Sequence, residues 1–190
     1  MAIKTFTTGE VLTAADTNTY LANSGLVYIT SVALSGASNN ISNCFSSTYD
    51  AYRVTITNFN NSTSTVRIIG LQFRTTSNDG SANYFYSQYG HYSATAFNAS
   101  ASGQTSSEFC SISAGGNNGG SVTIDISNPN LAFTTTFAGN QVGFQNNVAA
   151  IVMRYISGGI NTTTQYTGFS INTDGDSLSG TVTVYGYRKA

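Results

Sequence analysis

Along most of the chain, apolar and polar residues alternate with a period of two. Tyr52, Val54 and Ile56 are set against Arg53, Thr55 and Thr57, and Ile69, Leu71 and Phe73 against Gln72 and Arg74. The same holds for Val122, Ile124 and Ile126 with Thr123 and Asp125, for Leu131, Phe133 and Phe137 with Thr134 and Thr136, and for Phe169 and Ile171 with Ser170 and Asn172. Successive side chains of an extended chain point to opposite faces, so each run predicts a strand with one dry and one wet face. Residues 148–156 are apolar on both faces and predict a central strand, or one that meets another subunit. Turn signals separate the runs: Asn60-Asn61-Ser62, Asn78-Asp79-Gly80, Asn117-Asn118-Gly119-Gly120, Ser157-Gly158-Gly159 and Asp174-Gly175-Asp176. Pro129, within Asn128-Pro129-Asn130, marks a tight turn between two strands. Roughly nine or ten strands at such spacing predict an all-β domain, a jelly-roll-like antiparallel β-sandwich. Its expected inward-facing residues are Val54, Ile56, Leu71, Phe73, Val122, Ile124, Phe133, Ile151, Phe169, Ile171, Val182 and Val184.

The first 25 residues follow another pattern. Thr13-Ala14-Ala15-Asp16 fits a capping box, and Ser24-Gly25 supplies a stop, so a helix is predicted from about Ala14 to Asn23. A helix this short does not persist alone in water and must dock on something. The segment before it, Ile3 to Leu12, is predicted to be extended. Residues 1–25 thus read as a strand–helix arm that docks or oligomerises through Phe6, Val11, Leu12, Tyr20 and Leu21, and residues 26–190 as the β-domain.

Composition narrows the function. Ser, Thr and Asn make up more than a third of the chain, while only 8% is charged, against about 25% in an ordinary soluble domain. Hydroxyls and amides do the wetting. With 40% hydrophobic residues, 11 Phe and 12 Tyr, a substantial core is available, which argues against disorder. A net charge of −1 leaves no electrostatic footprint for a phosphate backbone, so nucleic acid is not an expected partner. The longest apolar run is far short of the roughly 20 residues that span a bilayer, and no membrane insertion is expected. The N-terminus lacks an apolar signal region, so synthesis in a cytoplasm is expected. Cys44 and Cys110 sit in apolar, strand-like contexts and read as buried free thiols.

Candidate chemistry is sparse. Tyr84, Phe85, Tyr86, Tyr89, His91 and Tyr92 form the densest aromatic cluster, in a segment poor in aliphatic residues. Tyrosine joins an apolar ring to a polar tip, so Tyr84, Tyr86, Tyr89, His91 and Tyr92, with Asn83 and Gln88, are candidates for contact with a saccharide or a host surface. A strand packing its aromatics into the core is the competing reading. His91, the sole histidine, lies in no catalytic motif. Asp174-Gly175-Asp176 reads as a turn rather than a calcium loop, since the twelve-residue pattern is missing. No cofactor or metal is expected. A polysaccharide-degrading enzyme is disfavoured because the acids form no paired-carboxylate motif.

Four stretches carry a family resemblance: Phe6-Thr7-Thr8-Gly9-Glu10-Val11-Leu12-Thr13-Ala14-Ala15-Asp16-Thr17-Asn18, Asn23-Ser24-Gly25-Leu26-Val27-Tyr28-Ile29, Phe45-Ser46-Ser47-Thr48-Tyr49-Asp50-Ala51-Tyr52-Arg53 and Gly180-Thr181-Val182-Thr183-Val184-Tyr185-Gly186-Tyr187-Arg188. Together they resemble small, tail-fibre-like virion structural proteins of tailed bacteriophages of the marine and cyanobacterial type. The resemblance implies a virion location, an N-terminal portion bound to other virion proteins, and a C-terminal portion facing the host. It implies no catalytic residues. The expected function is therefore a short tail-fibre or tip protein, homotrimeric, that attaches to a host-surface glycan or protein. The alternative is a capsid decoration protein.

Overall fold

The alternating runs form antiparallel strands in the computed structural model, which describes residues 7–11, 13–16, 25–63, 67–92, 95–112, 119–145 and 150–189. Twelve strands lie among the described residues. They are β1 (Leu26–Gly36), β2 (Ser38–Ile41), β3 (Ala51–Asn61), β4 (Arg67–Arg74), β5 (Tyr84–Tyr92), β6 (Thr95–Gln104), β7 (Ser107–Ile112), β8 (Gly120–Ser127), β9 (Thr135–Gln145), β10 (Ala150–Ile160), β11 (Gly168–Thr173) and β12 (Leu178–Tyr187). The fold is all-β, as the alternation predicts, and exceeds the expected strand number because β2 and β6 carry few large apolar residues.

Eight strands form one sheet in the order β1-β12-β3-β8-β9-β10-β5-β6, and four form another in the order β2-β11-β4-β7. The pairing is nested. Strands β1, β2, β3 and β4 pair with β12, β11, β8 and β7 respectively, all antiparallel. The first four strands thus run as a ribbon against four later ones. The hairpins β5–β6 and β9–β10 are inserted in that scheme, and both extend the larger sheet beyond β8.

The buried faces of both sheets share one core. The larger sheet contributes Tyr52, Val54, Ile56, Val122, Ile124, Ile126, Phe137, Ile156, Val182 and Val184, and the smaller contributes Ile41, Ile69, Leu71, Phe73, Phe169 and Ile171. Phe73 lies at the aromatic centre, with ring centroids 5.3 Å from Tyr166, 6.4 Å from Tyr84 and Phe137, and 6.5 Å from Phe45. Tyr84 is polar at its tip only. Its hydroxyl accepts from the Phe73 N–H at 2.8 Å and donates to the Asp79 carbonyl at 3.2 Å. The buried Cys44 is a free thiol raised to about 12 by burial, hence inert; the Cys110 side chain lies outside the described set.

Ten of the expected core residues are buried, and two are not. Phe133 is 65% exposed because the loop led by Asn128-Pro129-Asn130 runs on to Thr134, and β9 starts only at Thr135. Ile151 is 69% exposed because Val152, Arg154 and Ile156 occupy the inward positions of β10. Strand β10 is central as expected, flanked by β9 and β5. Ser157-Gly158-Gly159, expected to turn, instead lies inside β10 and pairs on both sides. Gly158 is there for close approach. A Cβ on it would sit 2.4 Å from the Phe85 carbonyl oxygen and 2.8 Å from the Phe137 ring. A second backbone speciality is a double irregularity where β3 meets β12. Asn58 has φ 52° and Gly180 φ 130°, each beside a register shift.

Of the N-terminal arm, Phe6, Leu12, Tyr20 and Leu21 lie outside the described residues, as does the predicted helix beyond one helical turn at Ala14–Asp16. Val11 is exposed. Thr7 to Glu10, expected to be extended, is a turn. The Glu10 N–H donates to the Thr7 carbonyl at 3.0 Å, the Thr7 N–H donates to Glu10 Oε2 at 3.1 Å, and Gly9 supplies the positive φ of 89° that the turn requires.

Candidate functional site

The aromatic segment is strand β5, and its period of two divides it between the faces of the sheet. Tyr84 is fully buried, Tyr86 packs against the core and Gln88 is buried. None of these three is presented to an outside ligand, so the expected surface cluster of Tyr84, Tyr86 and Gln88 is corrected. Tyr89 and His91 point outward and are exposed, as does the neighbouring Phe85. The Tyr92 side chain lies outside the described set.

Cross-strand register shows what joins Tyr89 on that outer face. Opposite it on β10 is Tyr155, which in turn faces Asn140 on β9. The next row toward the start of β5 is Ser87, Ser157 and Ala138, and the one after is Phe85, Gly159 and Thr136. In the other direction lie His91, Met153 and Val142, followed by Ile151 and Phe144. Tyr89 and Tyr155 are 58% and 60% exposed. Rows on one face of a strand are about 7 Å apart. The row of small residues therefore forms a trough between an aromatic row and Phe85. It has a volume of ≈ 270 Å³ and is lined by Ser87, Tyr89, Ala138, Tyr155 and Ser157. A separate hollow of ≈ 390 Å³, one row further along the strands, is lined by Phe85, Thr134, Thr136, Gly159 and Asn161.

The face thus has two characters. One end is aliphatic, with Val142, Ile151 and Met153 exposed, and the other is aromatic with a hydroxyl- and amide-bearing rim. Tyr155 was hidden in the sequence because residues 148–156 read as one apolar run. Its alternation with Arg154 and Ile156 was the available signal.

On the outer face of this sheet, the charge beside the site is paired. Arg53 on β3 meets Asp125 on β8 through two 2.8 Å hydrogen bonds, and the Tyr187 hydroxyl donates to the same carboxylate at 2.7 Å. The guanidinium also lies 5.5 Å from the Tyr187 ring centroid. The Arg53 hydrogen bonds hold the Asp125 carboxyl below its ordinary range. At the turn Asp174-Gly175-Asp176, which joins β11 to β12 as expected, Asp176 accepts from Arg67 Nε at 2.7 Å and from Thr63 at 2.6 Å. Those bonds hold its carboxyl low too. Desolvation opposes ionisation of Asp79, but its contacts with Ser81 and the Tyr166 hydroxyl outweigh it, and its carboxyl is also held low.

These three depressed carboxyls set a pH dependence. Each folded value lies below the unfolded one, so the unfolded chain takes up protons first as pH falls. Stability is present above the ordinary carboxylate range and is lost below it. The expected result is a Tm that holds steady down to about pH 5 and declines below about pH 4. A thermal-melt series that stays flat or rises on acidification contradicts these three contacts.

Comparisons with protein-family models, with curated proteins and with solved structures found no match for the chain. The reading of function therefore stands on the residues and their arrangement.

Proposed function

We propose that this protein is a structural component of a tailed-bacteriophage virion, a short tail-fibre or tip protein that presents a jelly-roll sandwich to the host surface. The nested order supports the jelly roll. When the inserted hairpins β5–β6 and β9–β10 are set aside, the remaining eight strands pair first with last, second with second-last, and so inward. That is how one antiparallel ribbon rolls into two facing sheets. The observation that carries the function is the outer face of the larger sheet. Thr55, Thr123, Thr181 and Thr183 wet its β3, β8 and β12 part around the mutually neutralised Arg53–Asp125 pair, while β9, β10 and β5 present the exposed strip from Val142 and Ile151 to Tyr155 and Tyr89. A strip of this kind on a neutral surface suits contact with another surface.

In this reading the aliphatic end, Val142, Ile151 and Met153, meets a second copy in a closed homotrimer. The aromatic end stays displayed, and residues 1–25 bind neighbouring virion proteins. The protein works without catalysis and resides in the virion.

Adsorption of the purified protein to host cells tests this. Binding is expected to change little with salt, since the strip lacks charge and charge-steered contacts screen over about 8 Å at physiological ionic strength. Deleting residues 1–25 should leave cell binding intact and abolish incorporation into particles. A full-length protein that binds no host cell, present in hundreds of copies on the head, makes it a capsid decoration protein instead.

A further inference from the structure

We infer that the trough between the Tyr89–Tyr155 row and Phe85 binds a neutral saccharide chain. The inference rests on the proposal above in that it needs this face displayed.

Three features of the trough select this ligand. The first is its relief. Ser87, Ser157 and Ala138 form a low floor one row wide, with Tyr89 and Tyr155 rising on one side and Phe85 on the other. Aromatic faces meet the C–H faces of a pyranose ring, and the tyrosine hydroxyls and floor serines meet its hydroxyls. The second is neutrality. None of the side chains lining the trough carries a charge at neutral pH. The carboxylate next to it, Asp125 opposite Ala138, is already held by Arg53 and Tyr187. An anionic polymer finds no free cation here, and a cationic one finds no free anion. The third is openness. Its floor row, Ser87, Ser157 and Ala138, runs across β5, β10 and β9 in turn, and a separate hollow bounded by Phe85, Thr136 and Asn161 lies one row further along the strands. That suits a chain lying across the strands, whereas a small metabolite is usually enclosed by its pocket. A protein partner would favour the aliphatic end of the face over this hydroxyl-lined one. An open site of this size binds weakly by itself, so retention grows with the number of linked copies.

The test is affinity electrophoresis of the full-length protein in gels containing dextran, mannan, galactan or xylan, with acidic alginate alongside. At least one neutral polymer is expected to retard the protein, with little dependence on salt. Tyr155→Ala, and Ser157→Arg which fills the floor, should each weaken retardation about tenfold. Tyr28→Ala, an equally exposed tyrosine at the β1 edge of the same face, should leave it unchanged. No retardation by any neutral polymer, retardation by alginate alone, or equal loss in Tyr28→Ala overturns the assignment. Host-cell adsorption that persists without glycan retardation, being carried by a protein receptor, removes the saccharide and leaves the attachment proposal standing. Loss of both removes that proposal as well.

Discussion

Phe73→Ala is expected to cost about 3–5 kcal/mol of stability. Phe73 is fully buried and packs against rings from four separate parts of the chain: Phe45, Tyr84 of β5, Phe137 of β9, and Tyr166. Truncation removes the ring and leaves a cavity that these neighbours cannot close, because Tyr84 is tethered to the Phe73 N–H and Tyr166 to Asp79. A loss of that size is a large share of the roughly 5–15 kcal/mol that a folded domain has in total. Phe73→Leu, which retains more of the volume, should cost less. Chemical denaturation measures both. A cost below about 1 kcal/mol for the alanine variant means the two sheets do not meet at this ring.

Gly158→Val is the second substitution with a large expected effect, a loss of at least about 3 kcal/mol. The added side chain meets the Phe85 carbonyl of β5 first, then the Phe137 ring and the Tyr86 Cβ. A ring can change rotamer, but a paired backbone carbonyl cannot withdraw without breaking the β10–β5 ladder. Ser157→Thr, one position away on the exposed face, should fall within about 0.5 kcal/mol of wild type. Equal stabilities for the two variants would show that residues 157–159 are not in a strand.

The close packing around Gly158 is invisible in its local sequence. Ser157-Gly158-Gly159 has the composition of a turn, and only the two strands packed beside it show why glycine is needed. Strands β2 and β6 lack a periodic signal for a related reason. Segments such as Thr95-Ala96-Phe97-Asn98-Ala99-Ser100 hold little apolar volume, so their pairing partners, and not their own periodicity, make them strands. The candidate site divided in the same way. Tyr89 and His91 were legible as surface candidates, while Tyr84, Tyr86 and Gln88 were placed on the wrong face.

Alternation by itself determined that the chain is all-β and which residues of β3, β4, β8, β11 and β12 share a face. It did so because side-chain direction in an extended backbone depends only on position parity. Parity does not say which face will be covered. That was decided by pairings between residues far apart in sequence, which set Tyr155 of β10 beside Tyr89 of β5 and turned Arg154 inward and Ile151 outward. The trough exists only because three strands, drawn from residues 85 to 159, come into register. Such a register is a property of the assembled sheet, since each strand finds its neighbour through the shared core rather than through its own residues.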